Sequence, residues 1–189
     1  MNKKKENIIA AIIGFIFLTG VVCLFHYGIK MRDQEIPNQE RTVCVYVKNS
    51  FAARGSSSIF MYYVDGKQYE LITSISQMNL VLGQRYMLIY NRLKPEEAEV
   101  LIDEPVFTKN QKTEKTFAII TNLQTGVFYS EIKDVMFTYN VGNFKYETYQ
   151  FADWKKYNVQ VGDTYELEYL VSNPKICIIH LDKKIDSPR

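Results

Sequence analysis

GQRYMLIYNRLKPEEAEVL, residues 83 to 101, lies without a gap over GDTYELEYLVSNPKICIIH, residues 162 to 180. Extending the overlay to residues 75 to 102 and 154 to 181 makes six positions coincide: Asn79 with Asn158, Gly83 with Gly162, Tyr86 with Tyr165, Leu88 with Leu167, Tyr90 with Tyr169 and Pro95 with Pro174. Each stretch leaves a Gly turn, runs through a strand ending at Tyr90 or Tyr169, turns at the Pro, and continues in a last strand around Val100 or Ile179. In the second copy Tyr165, Leu167 and Tyr169 alternate with Glu166 and Glu168, the period-2 pattern of a half-buried strand with its glutamates in water. The region was built twice, and it is mainly β.

Upstream, the two copies continue to correspond. Thr42 to Val47 and Thr116 to Thr121 open them, and Ile59 to Val64 and Val135 to Asn140 follow a polar loop. The dipeptides Asp65-Gly66 and Gly142-Asn143 then mark hairpins, because these residues tolerate positive φ. The return strands carry Tyr69 and Tyr146. The offset grows from 74 at Thr42 and Thr116, to 76 at Tyr63 and Tyr139, to 79 from Ile75 onward, as loop insertions in a duplicated fold would produce. Five short strands per copy, with only brief helical pieces, predict a small antiparallel barrel or curled sheet of the OB-like kind. The first repeat is expected over residues 42–107 and the second over 116–183, with linkers at 30–41 and 108–115 and a tail at 184–189. Each copy has about 70 residues, close to the lower limit for an independent core, so the two are expected to lean on one another.

With Tyr63 matched to Tyr139, strand alternation sends Ile59, Met61 and Tyr63 inward beside Tyr86, Leu88 and Tyr90. It leaves Phe60, Tyr62, Val64, Met87 and Ile89 outward, where the second copy has Met136, Thr138, Asn140, Glu166 and Glu168. On the last strand the contrast reverses, with Ile176 and Ile178 standing where the first copy has Glu97 and Glu99. A contiguous exposed apolar patch is uncommon on a soluble monomer. Phe60, Tyr62, Val64, Met87, Ile89, Ile176 and Ile178 are therefore expected to form an interface, either between the repeats or with a partner protein. Trp154 and Tyr157 are a weaker candidate for a binding hot spot, because such pairs often dominate interfaces. The favoured reading of the pair is a piece that closes the barrel, since the first copy has Ile75 and Met78 there.

The N-terminal segment supplies an address. Lys3, Lys4 and Lys5 precede a stretch from Asn7 to Ile29 without Asp, Glu, Lys or Arg, whose apolar run from Ile8 to Phe25 is close to the roughly 20 residues that cross a bilayer. Residues 1–29 thus predict a cytoplasmic stub and a transmembrane helix. The lysines before it orient the C-terminal domains to the periplasm or the exterior of a bacterial inner membrane by the positive-inside bias. A cleaved signal peptide shares the basic start and apolar core. No small-x-small cleavage site follows the core, and Cys23 follows Val21 and Val22 and not the small residue a lipoprotein signal needs, so an uncleaved single-pass anchor is the reading adopted.

Composition narrows the chemistry. Lys and Arg nearly balance Asp and Glu, leaving a net charge of +2, without the clustered basic excess that nucleic acid calls for. Of three cysteines, Cys23 falls in the span, while Cys44 and Cys177 are flanked by apolar strand residues in different repeats. Their spacing supports no metal site. Buried free thiols are favoured, although an exported domain permits a bridge. The two histidines, His26 and His180, complete no nucleophile–base arrangement. Gly55 with Ser56, Ser57 and Ser58 lacks the Lys and following helix of a phosphate loop. Glu96, Glu97, Glu99, Asp103 and Glu104 lack the regular spacing of a calcium loop and read as a solvated face. No catalytic residue, cofactor or metal is expected, and the chain is not expected to be an enzyme.

The order YVDGKQY, residues 63 to 69, followed by VLGQRYMLIYNRLKPEEAEVL, residues 81 to 101, resembles an uncharacterised family of bacterial membrane-anchored small β-domains. In that family a "G-K-x-Y" hairpin, a "G-x-x-Y-x-V-x-Y" strand and a "P-x-x-A" turn follow a transmembrane helix. The second copy departs from it at Gly142-Asn143 and Ile176-Cys177. The resemblance implies fold and membrane attachment, present here as a tandem duplication, and implies no activity.

Small size, an anchor and an apolar aromatic surface together point to a periplasm-facing protein-interaction module. Its sharpest version is an immunity protein that neutralises an antibacterial toxin. The alternative is a structural or envelope-assembly scaffold, so the expected partner is a toxin or an envelope component. A small-ligand-binding barrel is less supported, because inward tyrosines are poorly placed to stack on a ligand.

Overall fold

Strand pairing in each repeat starts earlier than the sequence pattern suggests, and the chain's duplication is visible down to single hydrogen bonds. The computed structural model describes residues 36–52, 55–73, 80–125 and 132–185. The chain divides into two compact units, Met1–Pro37 and Asn38–Arg189, and both repeats belong to the second. The expected membrane span lies outside the described residues. Among the described residues no helix is long and apolar enough to cross a membrane.

The first repeat contains β1 (Gln39–Ala52), β2 (Gly55–Val64), β3 (Lys67–Thr73), β4 (Arg85–Asn91) and β5 (Lys94–Pro105). The second contains β6 (Thr113–Thr125), β7 (Ile132–Val141), β8 (Phe144–Asp153), a single helical turn α1 (Trp154–Tyr157), β9 (Thr164–Leu170) and β10 (Asn173–Ile185). They form two five-stranded antiparallel sheets, ordered β3-β2-β1-β4-β5 and β10-β9-β6-β7-β8, the same order read from opposite edges. The edge strands of each sheet approach one another, β3 with β5 and β8 with β10. β1 and β6 begin inside the stretches expected to be linkers, because Gln39 already pairs with Asn91 and Thr113 with Leu170.

The shared residues of the two copies do equivalent structural work. A bulge interrupts β1 between Tyr46 and Lys48, and another interrupts β6 between Ile120 and Asn122. At the bulge the Gly83 N–H donates to the Tyr46 carbonyl at 3.0 Å, and the Gly162 N–H donates to the Ile120 carbonyl at 2.9 Å. Both glycines hold φ near the left-handed region, +85° and +91°, which a Cβ would strain. The Tyr90 hydroxyl donates to Glu40 and the Tyr169 hydroxyl to Glu114, each at 2.8 Å. These bonds tie the end of the alternating strand to the start of the strand that opens the repeat.

The face expected for β2 is corrected. Phe60, Tyr62 and Val64 are buried in the core of their own repeat, with Cys44, Tyr46, Tyr86, Leu88, Tyr90, Val100 and Ile102. Tyr63, expected inside, is 55% exposed. The true partner of Tyr139 is Tyr62, at an offset of 77, since Tyr62–Tyr69 and Tyr139–Tyr146 form the same stacked pair at 5.6 and 5.3 Å. Side chains alternate with period 2, so a one-residue slip exchanges core and surface along the whole strand. Phe60, Tyr62 and Val64 therefore present no surface to a partner.

The repeats also share packing. Phe151 of β8 is buried within the core of the first repeat, with Tyr149 packed against the same cluster. On β10, Ile176 is buried, and its Cδ1 lies 3.5 Å from where a Cβ on Gly83 would sit. A cavity between the repeats, bordered by Gln84, Tyr86, Tyr149, Gln150 and Cys177, holds about 30 Å³, room for water and nothing larger.

Candidate interaction surface

Among the described residues, the outer face of the second sheet exposes two apolar side chains two positions apart on one strand. On β6, Ala118 and Ile120 point into the core, so Phe117 and Ile119 point out, 62% and 50% exposed. Their cross-strand neighbours are Glu166 and Thr164 on β9, and Ile119 also pairs with Thr138 on β7. Phe117, Ile119, Thr138 and Thr164 line an open groove of about 430 Å³ together with Asn140 and Lys145. That volume lies within the range of sites for small ligands and short segments.

Beside the groove the same face carries ion pairs. Glu166 Oε1 accepts from Lys115 Nζ and Lys183 Nζ, each at 2.9 Å, and these two bonds hold its carboxyl down to about 2. Farther along, Lys184 meets Asp163 at 2.7 Å and His180 lies 3.5 Å from Glu168. Lys145 forms no ion pair among the described residues.

The matching face of the first repeat is closed by its own side chains. Val43 and Val45 take the places of Phe117 and Ile119 and are half-buried. Tyr63, in the place of Asn140, donates its hydroxyl to Gln68 Oε1 at 2.8 Å, and Gln68 donates to the Met61 sulfur at 3.7 Å. Met61 and Gln68 stand where the second repeat has Thr138 and Lys145. Met61 and Tyr63 flank half-buried valines in one copy, and the smaller Thr138 and Asn140 stand beside the exposed Phe117 and Ile119 in the other.

The residues singled out from sequence are not brought together into one surface. Met87 and Ile89 are half-buried on the outer face of the first repeat, whereas Phe60, Tyr62 and Val64 are in its core. Ile176 is buried at the joint between the repeats, and Ile178 is half-buried opposite Glu168 on β9. Tyr157 packs against the core of the second repeat, with Lys156 Nζ 5.3 Å from its ring, and Trp154 opens α1. Phe117 and Ile119 escaped the sequence reading because β6 is apolar at both parities, Phe117-Ala118-Ile119-Ile120, so alternation gives no contrast there.

Cys44 and Cys177 are both free and buried in separate repeats. Burial pushes the Cys44 thiol up to about 12 and the Cys177 thiol up to about 11, and Cys44 Sγ lies 3.5 Å from the Tyr86 carbonyl. Neither has the lowered pKa of a nucleophile or redox thiol. Among the described residues no group of three or more His, Cys, Asp or Glu is placed to hold a metal ion. Comparison with models of known protein families, with curated proteins and with solved structures finds no match.

Proposed function

We propose that this chain is a membrane-anchored, periplasm-facing protein-interaction module without catalysis, built from two OB-like barrels and akin to the membrane-anchored β-domains its first repeat resembles. The carrying observation is the open groove floored by Phe117 and Ile119, for which the first repeat has a covered equivalent. Duplicated cores keep Gly83 and Gly162, Tyr62 and Tyr139, and Tyr90 and Tyr169 in the same structural roles, so the different outer face of the second sheet is not required by the shared fold. Apolar side chains ringed by polar ones are the usual anatomy of a protein interface. The approach of β3 to β5 and of β8 to β10 supports curling of each sheet toward a barrel. The anchor reading rests on the charge-free segment from Asn7 to Ile29.

In its sharpest form the module is an immunity protein, which holds an incoming toxin at the membrane. Expression of the full chain should rescue cells from the toxin encoded next to it. A photo-crosslinking residue at position 117 should trap that toxin. Trapping of one constant envelope component, without rescue, would replace the immunity form with the scaffold form. If no protein is trapped from position 117 or from Met87 and Ile89 on the other repeat, with the chain correctly inserted, the interaction reading fails.

A further inference from the structure

We propose that Asp134 makes the joint between the two repeats sensitive to acid: with its carboxylate ionised the joint opens more readily, and protonation holds it shut. Asp134 lies on β7, in register with Phe151 on β8 and with Gln124 on β6. Residues opposite one another on neighbouring antiparallel strands share a face of the sheet. Val135, the next residue along, is buried in the core of the second repeat, so Asp134 stands on the outer face. That is the face from which Phe151 enters the core of the first repeat. Asp134 Oδ1 is buried and accepts no hydrogen bond among the described residues. Once ionised, that oxygen has lost water without gaining a partner, which is the costly way to bury a charge. Drawing Phe151 out of the joint would return water to it.

No neighbouring charge offsets this cost. Gln124 faces Asp134 from β6, Met136 follows it on the same face of β7, and Tyr149 precedes Phe151 on that face of β8. Asp153, two residues beyond Phe151, is an acid and so no counter-ion. β5, which approaches β8, carries Glu99, Asp103 and Glu104, all exposed, and Glu104 is paired with Arg41. The core that receives Phe151 brings only the Cys44 thiol and tyrosine hydroxyls. Lys175 borders the adjoining cavity with Cys177, and no ion pair among the described residues includes Asp134. Burial accordingly raises the Asp134 carboxyl above its ordinary value. A group raised in this way weighs on the closed form above its folded pKa, and the weight lifts as the pH falls through that value.

The two buried thiols report on the joint. Cys177 borders the cavity between the repeats, whereas Cys44 is inside the core of the first. The full chain and its Asp134→Asn variant are labelled with a dipyridyl disulfide, which reacts with thiols in acid as well as at neutral pH, and each position is read by mass spectrometry. Comparing the two proteins at one pH cancels the ionisation of the thiol itself. At neutral pH Cys177 should react severalfold faster in the unmodified chain than in the variant. The ratio should fall to one as the pH drops to the ordinary carboxylate value. Asp134→Leu, which removes the polar group altogether, should match the Asn variant, and a melting curve verifies that each is folded. Equal rates at neutral pH, a ratio that ignores pH, or faster labelling of Cys177 in both variants overturns the proposal. So does a parallel change at Cys44, which would place the titration in unfolding of the whole chain and not at the joint.

Discussion

The Tyr62 hydroxyl donates to the Pro95 carbonyl at 2.5 Å, and the Tyr139 hydroxyl repeats the bond to the Pro174 carbonyl at 2.6 Å. Each tyrosine reaches from the middle of its sheet to the hairpin that leads into the last strand. Its ring stacks on Tyr69 or Tyr146, and its oxygen satisfies a carbonyl that a Pro-containing turn leaves without a strand partner. Two of the shared residues, the Tyr and the Pro, are thus halves of one latch.

Replacing Tyr62 or Tyr139 with Phe keeps the stack and removes the latch. Each change should destabilise the protein by about 1 kcal/mol, the usual net worth of an intramolecular hydrogen bond. The two latches are in different repeats with no common partner, so the double variant should lose about 2 kcal/mol. Urea denaturation of the three variants measures this. Equal costs in the two repeats would show that the copies still use the residue alike, and a null effect in either would show that water replaces the bond there.

Glu166 makes stability depend on acid. Its carboxyl lies below the ordinary carboxylate value, at about 2, because Lys183 and Lys115 both donate to it. A group whose folded pKa is depressed adds stability above its unfolded pKa and loses it as the pH falls through the folded one. The contribution should therefore be complete above about pH 4.5 and disappear by about pH 2. Glu166→Gln should flatten this part of the profile of unfolding midpoint against pH while leaving the neutral-to-basic limb unchanged. Added salt should shrink the difference, because the pairs are partly exposed.

Cys44 and Cys177 should be silent toward thiol reagents in the folded protein. With their pKa values raised to about 12 and about 11, almost no thiolate exists at pH 8, and both sulfurs are buried. Iodoacetamide labelling followed by mass spectrometry should find both positions unmodified in the native state and modified in urea. Labelling of Cys177 at a rate near that of a free thiol would mean that the joint beside it opens readily, since Cys177 borders the cavity between the repeats.

The plan of two five-stranded sheets was legible because Gly83 and Gly162, Tyr86 and Tyr165, and Pro95 and Pro174 sit at positions where backbone geometry or core packing leaves little choice. The face of β2 was not. Tyr62 and Tyr63 are adjacent, and Ile59, Met61, Tyr63 and Phe60, Tyr62, Val64 are equally apolar triplets, so alternation alone permits either to be the core. The latch to Pro95 breaks the tie, and it joins residues 33 apart in sequence. Ile176 was expected at an interface between the repeats or with a partner, and it packs beside Gly83 of the other repeat, a contact that the sequence pattern could not assign to one residue. The groove on Phe117 and Ile119 depends on the small size of Thr138 and Asn140 on the neighbouring strand. Its existence becomes apparent only once the register of β6 and β7 is known.

Phe151 joins the folding of the two repeats. It belongs by sequence to β8 of the second sheet, yet it is 4% exposed within the core cluster of the first, edge-on to Tyr149 at 5.4 Å. Truncating a buried Phe to Ala costs about 3–5 kcal/mol through lost burial and the cavity that remains. A repeat of about 70 residues has little stability to spare. Phe151→Ala should therefore lower amide protection in β1 and β4 of the first repeat at least as much as in β6 and β9 of its own. Native-state hydrogen exchange reads the two sheets separately. In the unmodified protein both should exchange with one shared free energy, the mark of a single cooperative unit. Should the first repeat keep its protection while the second loses it, Phe151 would be serving only its own sheet, and the repeats would be independent folding units joined by residues 106–112.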